Sequence, residues 1–169
     1  LIFNGSLGSS VINEKMIEYL SDADKYDYEI LYITGKSYYE KFKENKFPKN
    51  VFIEPYVDNL SGLMKDFDLI VCRSGASSVA EITSIRIPAI FIPSPYVANN
   101  HQFYNAESVV KEGAGFMIEE KDLTKQVLCE KIEKILNDEK LINEVKRNLG
   151  KLEIPNSATI IYEEIKKMI

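Results

Sequence analysis

Apolar residues arrive along this chain in two rhythms that take turns. Short unbroken runs, such as Leu69–Cys72 and Pro88–Ile92, are followed by stretches whose apolar positions recur every three or four residues, as at Val11, Ile12, Met16 and Leu20. The first rhythm predicts strands over Leu1–Asn4, Tyr28–Thr34, Val51–Ile53, Leu69–Cys72, Pro88–Ile92 and Gly115–Ile118. The second predicts a helix after the Gly5–Ser9 loop, then helices over Ser37–Asn45, Leu60–Phe67, Ser78–Arg86 and Asn99–Glu112. Asp58 or Asn59 is placed to cap the third of these. Helices over Leu123–Asn137, Glu139–Leu149 and Ser157–Met168 finish the chain, the last announced by Pro155.

Strands alternating with helices imply parallel strands joined by right-handed crossovers. Runs such as "LIVC" and "PAIFI" lack period-two alternation, as strands covered on both faces do. The expected fold class is α/β, a doubly wound Rossmann-like parallel sheet. It occupies residues 1–169 as one domain, with an α/β core over 1–118 and a helical tail over 119–169. In such sheets ligands bind beyond the carboxyl ends of the strands, where strand order reverses. Function is therefore sought in the loops after strands one, three, four and five.

Composition narrows the classes. Apolar residues make up 45% and charged residues 28% of the 169, an ordinary globular profile. A net charge of −5 argues against a nucleic-acid partner and against a polybasic face for anionic lipid. Cys72 and Cys129 are too far apart for a zinc pattern, and Cys72, closing an apolar run, reads as a small buried side chain. No apolar stretch reaches membrane-spanning length and no signal peptide is visible, so the expected compartment is cytoplasmic. The chain opens inside an apolar run, without Met, and is expected to be a piece of a longer protein.

Four loops carry chemistry. "NGSLGSS" follows the first strand; Gly5 and Gly8 allow close backbone approach and Ser6 offers a hydroxyl and an N–H. It matches neither the Walker pattern nor the dinucleotide fingerprint, and reads as a plain turn or as an anion cradle. "CRSGASSVAE" follows the fourth strand, where the N–H groups of Gly75, Ala76, Ser77 and Ser78 suit a diphosphate. The same residues fit a capping box, with Ser78 as cap and Glu81 reaching back to it. Glu81 is therefore either a capping residue or an acceptor for a ribose diol. Arg73 reads as a phosphate partner or, more simply, a surface ion pair.

"PSPYVANNHQFYNA" follows the fifth strand and places Asn99, Asn100, His101, Gln102 and Asn105 within seven positions. Amides so placed can read sugar hydroxyls, or Asn99 or Asn100 simply caps a helix. His101 is the only histidine, hence the sole imidazole available as a base. "EPYVDN", after the third strand, offers the backbone of Val57 to a flat base beside Tyr56, or is a plain proline turn. Asp66-Phe67-Asp68 spells a metal-binding D-x-D pattern, but it precedes the fourth strand, at the amino edge of the sheet, and reads as a solvated turn.

"GSLGSSVIN", "VCRSGASSVAEI", "IPSPYVANNHQFYNA" and "EGAGFMI" together resemble, in order and spacing, the carboxyl-terminal half of the MurG glycosyltransferase family, from about Leu1 to Ile118. That family is of the two-domain GT-B type. It moves GlcNAc from UDP-GlcNAc, with inversion, onto a lipid-linked MurNAc-pentapeptide at the inner face of the membrane, making lipid II for peptidoglycan. The resemblance implies that Gly5, Ser6, Gly8 and the N–H groups of Gly75, Ala76, Ser77 and Ser78 meet the diphosphate. Glu81 then takes the ribose hydroxyls and the Val57 backbone reads uracil. His101, Gln102 and Asn105, with the Ala76 backbone, face GlcNAc. It further implies no protein-held metal, a catalytic base and a lipid-linked acceptor site in an amino-terminal half outside this chain, and an isolated chain that is inactive. Asn4 departs from the family's usual first glycine, Leu7 from its frequent glutamine, and Ser9–Ser10 from its Ala-Arg. Rival readings are the donor subunit of a two-chain UDP-GlcNAc transferase, a sugar-nucleotide epimerase, and a non-catalytic nucleotide-binding module.

Overall fold

Neighbouring residues of each apolar run part to opposite faces of one sheet. The computed structural model describes residues 1–4, 10–153 and 157–168. Its strands are β1 (Ile2–Phe3), β2 (Ile30–Ile33), β3 (Val51–Glu54), β4 (Ile70–Cys72), β5 (Ala89–Phe91) and β6 (Phe116–Met117). They form one six-stranded sheet in the order β3-β2-β1-β4-β5-β6. Every pairing is parallel, with Ile2 of β1 opposite Tyr32 on one side and Val71 on the other. Ile2, Ile30, Tyr32, Val71 and Ile90 enter one core, while Phe3, Ile33, Ile70, Cys72 and Phe91 enter the other. Two-sided burial is the reason the runs carry no polar alternation.

The helices are α1 (Ser10–Ser21), α2 (Tyr39–Lys43), α3 (Leu60–Met64), α4 (Ala76–Ile85), α5 (His101–Lys111), α6 (Lys125–Leu136), α7 (Glu139–Leu152) and α8 (Ser157–Lys166). The first core is closed by α1, α2 and α6 through Ile12, Met16, Phe42, Leu128 and Ile132. The second is closed by α3, α4, α5 and α7 through Met64, Ile82, Ala106, Val109 and Leu149. The segment read from sequence as a helical tail takes part in the packing: α6 and α7 contribute to one core each. By contrast α8 exposes Ile160, Ile161, Tyr162 and Ile165. Asn59 is the cap of α3, accepting the Gly62 N–H at 3.1 Å. Gly5, Ser6, Gly8 and Pro155 lie outside the described residues.

The chain winds outward from β1 to β3 and then crosses back to start β4, so strand order reverses between β1 and β4. That is the switch point at which a crevice opens beyond the carboxyl ends. Asp66 and Asp68 sit between α3 and β4, on the opposite edge.

Candidate functional site

The turn that ends β4 is a backbone device. Gly75 is extended (φ −62°, ψ 148°) and serves as the N-cap of α4 without any side-chain cap. The first N–H to close onto the helix is that of Val79, on Gly75 O at 3.0 Å. Ahead of it the N–H groups of Ala76, Ser77 and Ser78 have no acceptor among the described residues, and they carry the positive end of the α4 dipole. The capping box expected at Ser78 does not form. The helix starts two residues earlier, so Ser78 lies inside it, and Glu81, one turn on, has nothing to reach back to. Glu81 is half-buried and makes no hydrogen bond or ion pair among the described residues.

The residues just before this turn anchor it. Ser74 is fully buried; its Oγ donates to the main-chain oxygen of Gln102 at 2.8 Å. Its own carbonyl accepts from Asn105 Nδ2 at 3.0 Å. The Arg73 guanidinium donates to Ile92 O at 3.1 Å and pairs with Glu120, with side chains 11% and 5% exposed. Arg73 is therefore no surface ion pair. It ties the end of β4 to the end of β5 and to the turn at Glu120–Asp122 that follows β6. Cys72, directly upstream, is buried, and desolvation pushes its thiol well above the ordinary value, which makes it an inert core group.

The third element is the first turn of α5. Asn99 and Asn100 both adopt the left-handed conformation (φ 52° and 51°), and neither caps a helix through its side chain. Two consecutive left-handed residues swing the chain so that α5 begins abruptly at His101. The His101 Nδ1 lies 3.0 Å from Ala98 O, leaving Nε2 exposed to solvent. Gln102 Oε1 accepts the Ser94 N–H at 2.9 Å. Each of the two amides expected to read a sugar thus spends one atom on the protein. Those bonds fix the flip of each amide, which turns Gln102 Nε2 outward as donor and Asn105 Oδ1 outward as acceptor.

The fourth element lies beyond β3. Val57 packs against the second core, and its N–H and C=O make no backbone bond among the described residues. Tyr56 beside it is exposed, with the Lys36 ammonium 4.8 Å from its ring centroid. Beneath the end of β1, Asn4 Nδ2 donates to the Tyr32 hydroxyl at 2.9 Å, and that hydroxyl donates to Asn13 Oδ1. Asn4 is thus a buried polar residue. Its Oδ1 and the Asn13 Nδ2 are buried without partners.

Along the carboxyl edge the order is fixed by the strands: Val57 after β3, the turn at Gly75–Ser78 after β4, and Gln102 and Asn105 after β5. With strands about 4.8 Å apart, the ends of β3 and β4 are separated by about 14 Å, and β5, which leads to the α5 amides, lies one strand further. A ligand that meets all three is elongate, anionic in the middle and able to exchange hydrogen bonds at both ends. Such an order of parts is that of a nucleoside diphosphate sugar.

Residues 1–159 match the glycosyltransferase family 28 C-terminal domain. The chain belongs to that family. Over its full length it is 42% identical to UDP-N-acetylglucosamine--N-acetylmuramyl-(pentapeptide) pyrophosphoryl-undecaprenol N-acetylglucosamine transferase 2 of Bacillus thuringiensis, covering 48% of that protein. The corresponding transferase of Bacillus licheniformis is 38% identical and is 47% covered. The chain spans about half the length of the curated relatives it matches. Among solved structures, MurG of Acinetobacter baumannii superposes with a TM-score of 0.81 at 25% identity, over 98% of this chain and 49% of that one. The glycosyltransferase VinC, solved in complex with DTDP, shares the fold at a TM-score of 0.68 and 16% identity, over 90% of this chain and 37% of that one. The resemblance to MurG and the doubly wound fold expected from sequence both stand on these matches. Among the described residues no helix is long and apolar enough to cross a membrane. Nor do any three His, Cys, Asp or Glu side chains there gather where they could hold a metal ion.

Sequence reasoning missed Ser74, Ser94 and Glu120. Ser94 meets Gln102 through its backbone N–H, and the partners of Ser74 and Arg73 are 28 and 47 residues away, so no local signal marks them.

Proposed function

We propose that this chain is the donor-binding domain of an inverting, UDP-GlcNAc-dependent transferase that places GlcNAc on a lipid-linked MurNAc-pentapeptide acceptor, completing lipid II for peptidoglycan. The observation that carries the reading is the order, along the carboxyl edge, of the Val57 backbone, the unpaired N–H groups at the start of α4, and the Gln102 and Asn105 amides. The Val57 backbone pairs with uracil and Glu81 accepts from the ribose diol. The N–H groups of Gly75–Ser78, with Gly5, Ser6 and Gly8 of the first loop, bind the diphosphate. His101, Gln102 and Asn105 face GlcNAc, joined by the Ala76 backbone.

When the acceptor hydroxyl attacks the anomeric carbon, negative charge develops on the departing UDP. Unpaired N–H groups at the start of α4, already oriented, stabilise that charge without further reorganisation. No protein-held metal takes part in this scheme, and the base that activates the acceptor belongs to a part of the enzyme outside this chain, so the chain alone is inactive. An acceptor carrying a polyprenyl lipid brings the whole enzyme to a membrane surface as a peripheral protein, on the cytoplasmic face where UDP-GlcNAc is found. Calorimetric titration with UDP, UDP-GlcNAc and ADP tests the reading. Uridine nucleotides bind in preference to ADP, and UDP-GlcNAc binds more tightly than UDP. Equal affinity for ADP, or no binding, would overturn it.

A further inference from the structure

One buried residue bonds both to the Asn105 amide and to the main chain of Gln102. We infer that Ser74 is a positioning residue that holds the sugar end of the site in register with the phosphate end; the inference rests on the donor-site reading above. Ser74 is the last residue before the Gly75 N-cap of α4, and it is fully buried. Through its carbonyl it takes Asn105 Nδ2 at 3.0 Å, and through its hydroxyl it reaches the main chain of Gln102 at 2.8 Å. Both bonds run from the turn that presents amides to the diphosphate to the turn that presents amides to the sugar. Ser94 completes the clamp by fixing Gln102 Oε1 at 2.9 Å.

The consequence is chemical. A free asparagine or glutamine amide can flip and offer either a donor or an acceptor to a hydroxyl. Here both flips are fixed, so Asn105 turns Oδ1, and Gln102 turns Nε2, away from its protein partner. One sugar hydroxyl, or a vicinal pair, is met by one acceptor and one donor of fixed position, about one strand spacing from the phosphate. The two left-handed residues Asn99 and Asn100 leave the loop before α5 no helical cap of its own, so the clamp to Ser74 is what seats that first turn.

The test is the affinity ratio of UDP-GlcNAc to UDP, measured by calorimetry on the intact protein. In Ser74→Ala one net hydrogen bond to the sugar turn is lost, so UDP-GlcNAc binding falls by about fivefold while UDP binding holds within about twofold. In Ser74→Cys, a side chain of similar size with a weak donor, part of the loss returns. Introduced into an Asn105→Ala background, Ser74→Ala produces a smaller further loss of the ratio, because the Ser74 hydroxyl then seats a turn that no longer carries the Asn105 amide. An unchanged ratio in Ser74→Ala, an equal fall for UDP and UDP-GlcNAc, or full additivity with Asn105→Ala would overturn the inference. Failure of the parent protein to bind UDP would instead overturn the donor-site reading, and the inference with it.

Discussion

Replacing Glu81 separates recognition from folding, because its carboxylate has no partner among the described residues. It is the sixth residue of α4, half-buried, three positions beyond the Ser78 it had been expected to cap. Alanine is the stronger helix former at such a position, so Glu81→Ala leaves stability within about 0.5 kcal/mol of the parent. In a chain of 169 residues that corresponds to a melting shift of no more than about 2 °C. Binding responds differently. A hydrogen bond from a ribose hydroxyl to a carboxylate is worth about 1.5–3 kcal/mol, so losing one weakens UDP-GlcNAc by about 10- to 150-fold. Glu81→Gln keeps an acceptor without the charge and falls between parent and alanine. The ligand side closes the cycle: 2′-deoxy-UDP binds the parent more weakly than UDP does, and binds Glu81→Ala no worse than UDP. Calorimetry and thermal melting on the same preparations decide the matter. Variants that melt early yet bind UDP-GlcNAc like the parent would show that Glu81 serves the helix and not the ribose.

Ala76→Pro tests the α4 amides directly, because proline is well tolerated at the first helical position and Gly75 before it already has the extended conformation that proline requires. Melting stays put while UDP-GlcNAc affinity falls by about tenfold, from the loss of one charge-assisted bond; undiminished affinity would remove that N–H from the site. Glu120→Gln removes the carboxylate charge that balances the buried Arg73 guanidinium and costs about 3–5 kcal/mol, seen in urea unfolding, whereas Arg73→Met with Glu120→Leu restores most of it. Equal losses in the single and double variants would refute a buried pair. Asp22 accepts from Lys125 and from Lys25, the latter at 2.8 Å, and these bonds hold its carboxyl down to about 2. A depressed value in the folded state means a contribution that is whole above the ordinary carboxylate pKa of 3.8 and lost as pH falls towards 2. In Asp22→Asn the urea midpoint therefore loses part of its slope between pH 4 and pH 2, and an unaltered acid limb would contradict the assignment.

Glycine and serine after an apolar strand marked the turn at Gly75 as a place where backbone is presented, and the structure puts it at the switch point. The sequence there was compatible with two helix starts. Gly75 and Ser78 are both acceptable caps, and nothing within the segment chooses between them. The choice was made by Ser74, whose burial and bonds to Gln102 and Asn105 fix the chain one residue before Gly75. The same distance in sequence hid the partner of Arg73, which looked like a surface charge until the turn after β6 brought Glu120 against it. The tail is helical as its periodicity predicts, but periodicity shows only that α6 and α7 have apolar faces, not that those faces close both sides of a sheet laid down earlier in the chain.

What the sequence determined by itself was every property carried by near neighbours: the alternation of strand and helix, two-sided burial of the strands, and the positions where backbone and amides gather after each strand. Only the tertiary structure decided the order of those loops along the sheet edge, which atom of each amide remains free, and which charges are buried in pairs. The physical reason is that backbone preference and apolar period act over a few residues. Strand order, by contrast, joins loops tens of residues apart, and hydrogen bonds between them are specified by neither loop alone.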